Sequence, residues 1–215
     1  MRNMGYPTAI ESMFVILKYF WQMCLLRAGP DKIPAQPRLL AAALVSYVVA
    51  QILVALLTRN ENSFELALRI IPVEIIMLGL VTYLLLLFLK LQSRFLPTYT
   101  AIIGCDIVIV AIQLPLLLIM QNTEMPTLIL FLNAAWFVCF CWLLVIIGHI
   151  YHRAANVSIV QGGAIAVVAF ALTLTTIYSF IPICLLYTSP SPRDQRGSRM
   201  PSSACKKKRG GGGGG

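Results

Sequence analysis

The residues of this chain that could carry chemistry are polar side chains inside long apolar stretches. Asp106 lies within the stretch at residues 99–120, and Gln113 follows it by seven positions, so both share one face of a helix. Asn133 in the next stretch could meet that face, and Glu74 lies near the start of an earlier stretch. A carboxylate inside a bilayer is costly, and it is a candidate functional residue by default. These four residues form the candidate intramembrane polar cluster.

Two roles are open for Asp106. It could relay protons or ions into a polar cavity, as intramembrane acids of transporters do. Alternatively, a protonated or hydrogen-bonded Asp106 ties neighbouring helices together, and this role is favoured because the only other acid inside a span is Glu74. For Glu74 we expect a structural role near the end of its helix, where it reaches water or Arg69.

Two histidines near the end of the fourth apolar stretch could bind a metal. His149 and His152 are three positions apart and share a helix face, and imidazole is a common zinc ligand. No third ligand is close, because Cys139 and Cys141 lie about two turns or more deeper. We therefore interpret both as interfacial histidines and predict no metal, cofactor or catalytic site.

Membrane-spanning helices must position these residues. The chain has 215 residues, is 59% hydrophobic and only 12% charged, and has a mean hydropathy of +0.82, whereas soluble domains carry about 25% charged residues. We predict an all-α fold, a polytopic membrane helical bundle with five transmembrane helices and an N-terminal amphipathic interfacial helix. The transmembrane domain covers residues 38–183, with spans at 39–57, 70–89, 99–120, 128–150 and 157–183.

Residues 1–37 are predicted to form a cytoplasmic or interfacial amphipathic helix followed by a Pro-rich connector. Ile10, Phe14, Leu17 and Trp21 recur at helical spacing. A helix that lies in the headgroup region and a helix that docks on the bundle explain this pattern equally well.

Small residues recur at intervals of four in two spans and predict close helix packing. They are Ala42, Ser46 and Ala50 in the first span, and Ser158, Gly162 and Ala166 in the fifth. We expect a bulky replacement such as Gly162→Leu to disturb assembly.

The distribution of charge predicts the orientation and the partners. Eight Lys and Arg residues lie in the N-terminal segment and in the second and fourth loops, against two on the other side, which places the N-terminus in the cytoplasm. Much of the net charge of +9 comes from the last 32 residues, and residues 1–183 offer no basic face for nucleic acid. The expected partners are the lipid bilayer, other membrane proteins and further copies of the chain.

Residues 184–215 differ in character from the rest. CLLYTSPSPRD resembles one translated frame of a transposon-end sequencing adapter, SRMPSSA resembles the distal end of that adapter, and the Lys and Gly runs resemble poly-A and poly-G. We expect a non-native, disordered tail and exclude it from fold prediction. The alternative, a polybasic lipid-binding tail, would face the outer leaflet after five spans. The sequence leaves open whether the intact gene encodes a sixth span.

The chain resembles the Yip-domain family of small membrane proteins, in particular its bacterial members. The resemblance lies in an aromatic helix followed by LLRAGP at residues 25–30, Pro34, Pro37 and RLLAAAL at residues 38–44. It implies a multi-pass protein of the bacterial inner (cytoplasmic) membrane that organises or scaffolds partners without catalysis. Eukaryotic relatives are associated with vesicle traffic and small GTPases. The resemblance implies no catalytic or ligand-binding residues.

The alternative function is a small transporter or an ion-coupled permease subunit that uses Asp106, Gln113 and Asn133. It would require these side chains to face a polar cavity. Many transporters are built from paired halves, and no internal repeat is evident between spans one to three and the remainder.

Overall fold

The protein forms an all-helical bundle in the computed structural model, which describes residues 9–58 and 63–180. Within these residues six α-helices follow one another and no strand occurs. They are α1 (Ala9–Cys24), α2 (Pro37–Leu57), α3 (Ser63–Phe88), α4 (Phe95–Gln121), α5 (Pro126–Ala155) and α6 (Ile159–Phe180). Short 3-10 helices at Pro30–Lys32 and Gln92–Arg94 precede α2 and α4. The all-α prediction is confirmed.

Five of these helices, α2 to α6, are long and apolar enough to cross a bilayer. The chain is therefore a multi-pass membrane protein. The helices extend beyond some predicted spans, since α3 begins at Ser63 and α5 ends at Ala155. Residues 181–183 of the predicted fifth span and the predicted tail at 184–215 lie outside the described residues.

Local sequence sets several helix ends. Pro37 and Pro126 lie in the first turns of α2 and α5, where an N–H is not needed. Asn156 ends α5 in the left-handed conformation, with φ 54°. Ser158 Oγ accepts from the Gln161 N–H at 3.2 Å, and Gln161 Oε1 accepts from the Ser158 N–H at 2.9 Å, which is a capping box. Ser158 therefore caps α6 and is exposed, rather than packing in the small-residue stripe as predicted.

The central helix of the bundle is α4. It contacts α1, α2, α3 and α5 and is buried continuously from residue 98 to residue 106. The hydroxyls of Thr98 and Thr100 donate to the carbonyls of Arg94 and Leu96, at 2.6 and 2.7 Å, so these buried polar groups are satisfied within the helix. The part of α4 that leads to Asp106 is therefore packed against neighbouring helices, whereas residues 110–121 are more exposed.

The last turns of α1 dock on α4 and α5. Met23 and Cys24 are buried, and the Phe20 ring lies over Gly104 of α4, where a Cβ atom would come within 2.2 Å of the ring. The Trp142 indole of α5 donates to the Cys24 carbonyl at 3.0 Å. The structure thus shows α1 docked on the bundle.

The docked face of α1 differs from the predicted apolar stripe. Leu17 and Trp21, two members of that stripe, are 54% and 44% exposed. The side chains of Ile10 and Phe14 lie outside the described residues. One face of α1 therefore packs on the bundle, while apolar side chains on another face are exposed.

The Pro-rich connector forms a hydrogen bond with α1 and a long ion pair with α5. The Tyr19 hydroxyl donates to the Gly29 carbonyl. Burial raises the pKa of the Tyr19 phenol, so it remains a donor at neutral pH. On the other side, Arg153 of α5 lies 3.8 Å from Asp31 of the connector.

Glycines bring α5 and α6 into close contact. A Cβ atom at Gly162 would lie 2.3 Å from the Gly148 carbonyl oxygen, and one at Gly148 would lie 2.9 Å from the Cα of Gly163. Ala166, one turn further along α6, is 1% exposed. Gly162 and Ala166 therefore pack inside the chain, as expected of a small-residue stripe.

The small-residue stripe of α2 is largely exposed, unlike that of α6. Ala42 and Ser46 are exposed and Ala50 is half-buried. Helix α2 packs on α3 and α4 through its other side.

Candidate functional site

Asp106 belongs to a cluster of polar side chains that three helices bring together. We call it the polar cluster, and its members are Tyr47 and Gln51 of α2, Glu74 of α3 and Asp106 of α4. Tyr47 is 1% exposed and Asp106 is 9% exposed. Tyr47, Glu74 and Asp106 each lie ten or eleven residues beyond the start of their helices, about 15–17 Å along the axis. The polar cluster therefore lies near the middle of the spans.

The Tyr47 hydroxyl is the centre of the polar cluster. It donates to Glu74 Oε2 at 2.8 Å and accepts from Gln51 Nε2 at 2.9 Å. The carboxyl group of Asp106 interacts with the same hydroxyl from α4. A phenol has one proton to donate, and Tyr47 gives it to Glu74.

The two carboxyl groups of the polar cluster interact electrostatically in the low-dielectric interior of the bundle. Two negative charges there would repel each other strongly. No Lys, Arg or His side chain forms an ion pair with either group within residues 9–58 and 63–180. One proton retained by the pair would remove one of the two charges. Chemically, the arrangement suits holding a proton between Glu74 and Asp106, with Tyr47 as the bridge.

Glu74 lies deeper in its helix than the sequence predicts. Because α3 begins at Ser63, Glu74 is about three turns inside the helix, not near its end. Arg69 pairs with Glu65 instead, one turn earlier, at 2.5 Å. Glu74 therefore bonds Tyr47 and neither caps the helix nor pairs with Arg69.

Gln113 and Asn133, which were also predicted for the intramembrane cluster, lie apart from the polar cluster. Gln113 is half-buried, about 10 Å further along α4, and takes no part in the hydrogen bonds of the polar cluster. Asn133 is exposed, and its amide donates to the Ile129 carbonyl of its own helix at 3.0 Å. Helical spacing assigns a residue to a face of its own helix, but α5 does not turn the face that bears Asn133 towards Asp106.

Tyr47 was not among the residues predicted for the cluster, although the sequence contains a signal for it. Tyrosines of membrane proteins concentrate at the two interfaces, so one in the middle of a span needs a buried partner for its hydroxyl. Gln51, one turn further on, marks the same face. Tyr151, which is buried near the end of α5, also has a partner, since its hydroxyl lies 2.9 Å from that of Thr82 and links α5 to α3.

The two histidines lie at one end of the bundle, beside a cavity of about 580 Å³. Their ring centroids are 6.0 Å apart. The Nδ1 of His152 donates to the Val157 carbonyl, so this nitrogen is not free for a metal. In the described part of the chain, no three His, Cys, Asp or Glu side chains group as a metal site would require. The other charged residues that line the cavity are Asp31, Arg94 and Arg153.

Comparison with protein-family models, with curated proteins and with solved structures finds no match to this chain. The resemblance to the Yip-domain family therefore depends on the sequence segments quoted above. Function has to be inferred from the geometry of the helices and of the polar cluster.

Proposed function

We propose that this chain is a non-enzymatic inner-membrane protein that organises partner proteins, or copies of itself, within the bilayer. Its Yip-like segments support a bacterial cytoplasmic membrane, and the bias of Lys and Arg supports a cytoplasmic N-terminus. The observation that carries the proposal is the small-residue face of α2, because the described part of the chain leaves that face uncovered.

This face consists of Ala42 and Ser46 together with Val45 and Val49. The two valines are 64% and 60% exposed, and both small residues are exposed as well. Small residues allow two helix backbones to approach, and valine loses little side-chain entropy on contact because its rotamer is already restricted. The comparable stripe of α6 is covered by α5, so α2 is the helix that can receive a partner.

The polar cluster supports the same proposal by holding α2 in place. Tyr47 lies on the side of α2 that faces α3 and α4, where its hydroxyl bonds Glu74 of α3 and its ring packs with Tyr99 and Ile103 of α4. Neither the 580 Å³ cavity nor a second one of about 250 Å³ is lined by a residue of the polar cluster. The cluster therefore suits a role in joining helices.

The proposal predicts that Ala42→Leu combined with Ser46→Leu reduces association about tenfold, because two bulky side chains hold a partner helix away. The monomer should remain as stable as the wild type, since both positions are exposed. Cross-linking in membranes and sedimentation in detergent would measure this. Ala164→Leu on the exposed surface of α6 is the matched control. Equal cross-linking in the double variant and the control would refute the proposal.

A proton-coupled transporter is the second candidate, and the polar cluster is the observation that favours it. Two carboxyl groups and a bridging hydroxyl from three helices could pass a proton if the bundle opened towards them. The transporter requires a carboxyl group at residue 106 that can gain and lose a proton, whereas the scaffold does not.

The scaffold proposal predicts that Asp106→Asn has little effect, because an amide of nearly the same shape preserves the packing of α4 and carries no charge into the bilayer. Proteoliposomes that contain the wild type or Asp106→Asn should show the same proton flux under a pH gradient, followed with an internal pH-sensitive dye. Glu74→Gln serves as the parallel variant. A flux in the wild type that both variants abolish would favour the transporter.

A further inference from the structure

We propose that the cavity at the connector end of the bundle binds a phosphate group, carried by an anionic lipid or as inorganic phosphate. We call it the interfacial cavity. Its charged and imidazole-bearing lining residues are Asp31, Arg94, His149, His152 and Arg153. They come from the connector, from the turn before α4 and from the last turns of α5.

The arginines supply an excess of positive charge in the interfacial cavity. Arg94 is half-buried, donates to the Ala154 carbonyl at 3.0 Å and forms no ion pair within the described residues. Arg153 lies 3.8 Å from Asp31, and both side chains are about half exposed, so this pair is weak. Two guanidinium groups therefore face a single carboxylate. An anion that binds here would meet N–H groups suited to bidentate contact with phosphate oxygens.

The histidines provide further donors. The Nε2 of His149 is buried and has no hydrogen-bond partner among residues 9–58 and 63–180. A buried polar nitrogen without a partner is costly and indicates a ligand or water at that position. His152 uses Nδ1 for the Val157 carbonyl, so its Nε2 remains for a second partner. Two imidazoles beside two guanidinium groups fit the several oxygens of a phosphate.

The position of the interfacial cavity fits the level of lipid headgroups. It lies where α4 begins and α5 ends, at one end of two membrane-spanning helices. Basic pockets between transmembrane helices at this level bind anionic headgroups. A volume of about 580 Å³ accommodates a phosphate together with a small headgroup. Lipid phosphate and inorganic phosphate share the recognition chemistry, and the experiment separates them.

The experiment measures binding of two probes to the full chain in neutral detergent. One probe is a fluorescent short-chain phosphatidylglycerol, and the other is sodium phosphate, followed by its displacement of the lipid and by thermal stabilisation. Arg153→Gln and His149→Gln should each weaken binding about tenfold, as expected when one charged or polar donor to the phosphate is lost. Arg153→Gln keeps the bond between Arg94 and Ala154, so the end of α5 stays attached.

Arg69→Gln is the matched control. It removes an arginine that is 51% exposed, beside 45% for Arg153, and that also pairs with a carboxylate. The basic residues at 206–209 are present in every variant and contribute equally. Weakened lipid binding with no phosphate effect assigns the site to a lipid, and weakened binding of both probes assigns it to phosphate in general. If neither probe binds the wild type, or if Arg153→Gln and Arg69→Gln behave alike, the proposal is overturned.

Discussion

Gly162→Leu is expected to separate α6 from α5 and to leave little folded protein in detergent. A Cβ atom at this position would stand 2.3 Å from the Gly148 carbonyl oxygen and 2.9 Å from the His152 backbone nitrogen. Both are backbone atoms of α5, so they cannot rotate away as the end of a side chain can. Overpacking in a close contact costs about 1–3 kcal/mol and sometimes more. We expect Gly162→Ala to fall in that range and Gly162→Leu to exceed it.

Gly163→Ala is the matched control for this prediction. It makes the same chemical change one residue further along α6, where an added Cβ atom has no neighbour within 4 Å. Its melting temperature should equal that of the wild type or rise slightly, because alanine favours the helix. Fluorescence-detected size exclusion and thermal melting would measure all three variants. Equal melting of Gly162→Ala and Gly163→Ala would show that the helices do not cross at this point.

Because Gly162 is buried within the chain, replacing it tests the folding of the monomer rather than its assembly with partners. Sequence analysis treated Gly162→Leu as a test of assembly with partners, since a small-residue stripe predicts close contact but not the identity of the contacting helix. Because α5 covers Gly162, the variant tests the folding of the monomer. Assembly is better tested at Ala42 and Ser46 of α2, which the chain leaves exposed.

The helices could be predicted because each membrane-spanning helix appears in the sequence as a continuous stretch of about 20 apolar residues. Their ends were harder to predict, since a helix can continue through polar residues once it leaves the membrane core. Helix α3 does so from Ser63, with Glu65 and Arg69 paired across one turn. That extension moved Glu74 from the expected helix end to the middle of the bundle.

The site could be predicted only in part. Asp106 stands out as a charged residue in an apolar run, so it can be recognised from its own segment without knowledge of its contacts. Tyr47 gives no such contrast, because an aromatic ring fits an apolar span. Asn133 stands out in the same way as a polar residue in an apolar run, but the rotation of α5 about its axis depends on packing between helices. Periodicity within one helix holds no information on that rotation.

Tyr47→Phe is expected to lower the free energy of unfolding by about 1–3 kcal/mol, the cost of leaving buried polar groups without partners. The variant keeps the ring, which is buried against α3 and α4, and removes only the hydroxyl. Gln51 Nε2 and Glu74 Oε2 would then lose bonds of 2.9 and 2.8 Å. Water cannot replace these bonds in the middle of a bilayer as it does at a surface. Unfolding in mixed micelles would measure the change.

Tyr178→Phe is the control, since Tyr178 is 59% exposed and its hydroxyl can be solvated. The double variant Tyr47→Phe with Glu74→Gln tests whether the two residues act as a unit. Once Tyr47 is gone, Glu74 is a half-buried carboxylate in the middle of a span without its donor, so neutralising it should restore part of the stability. The two changes together should therefore cost less than their sum. Simple additivity, or a loss for Tyr47→Phe no larger than that for Tyr178→Phe, would show that the polar cluster does not hold α2, α3 and α4 together.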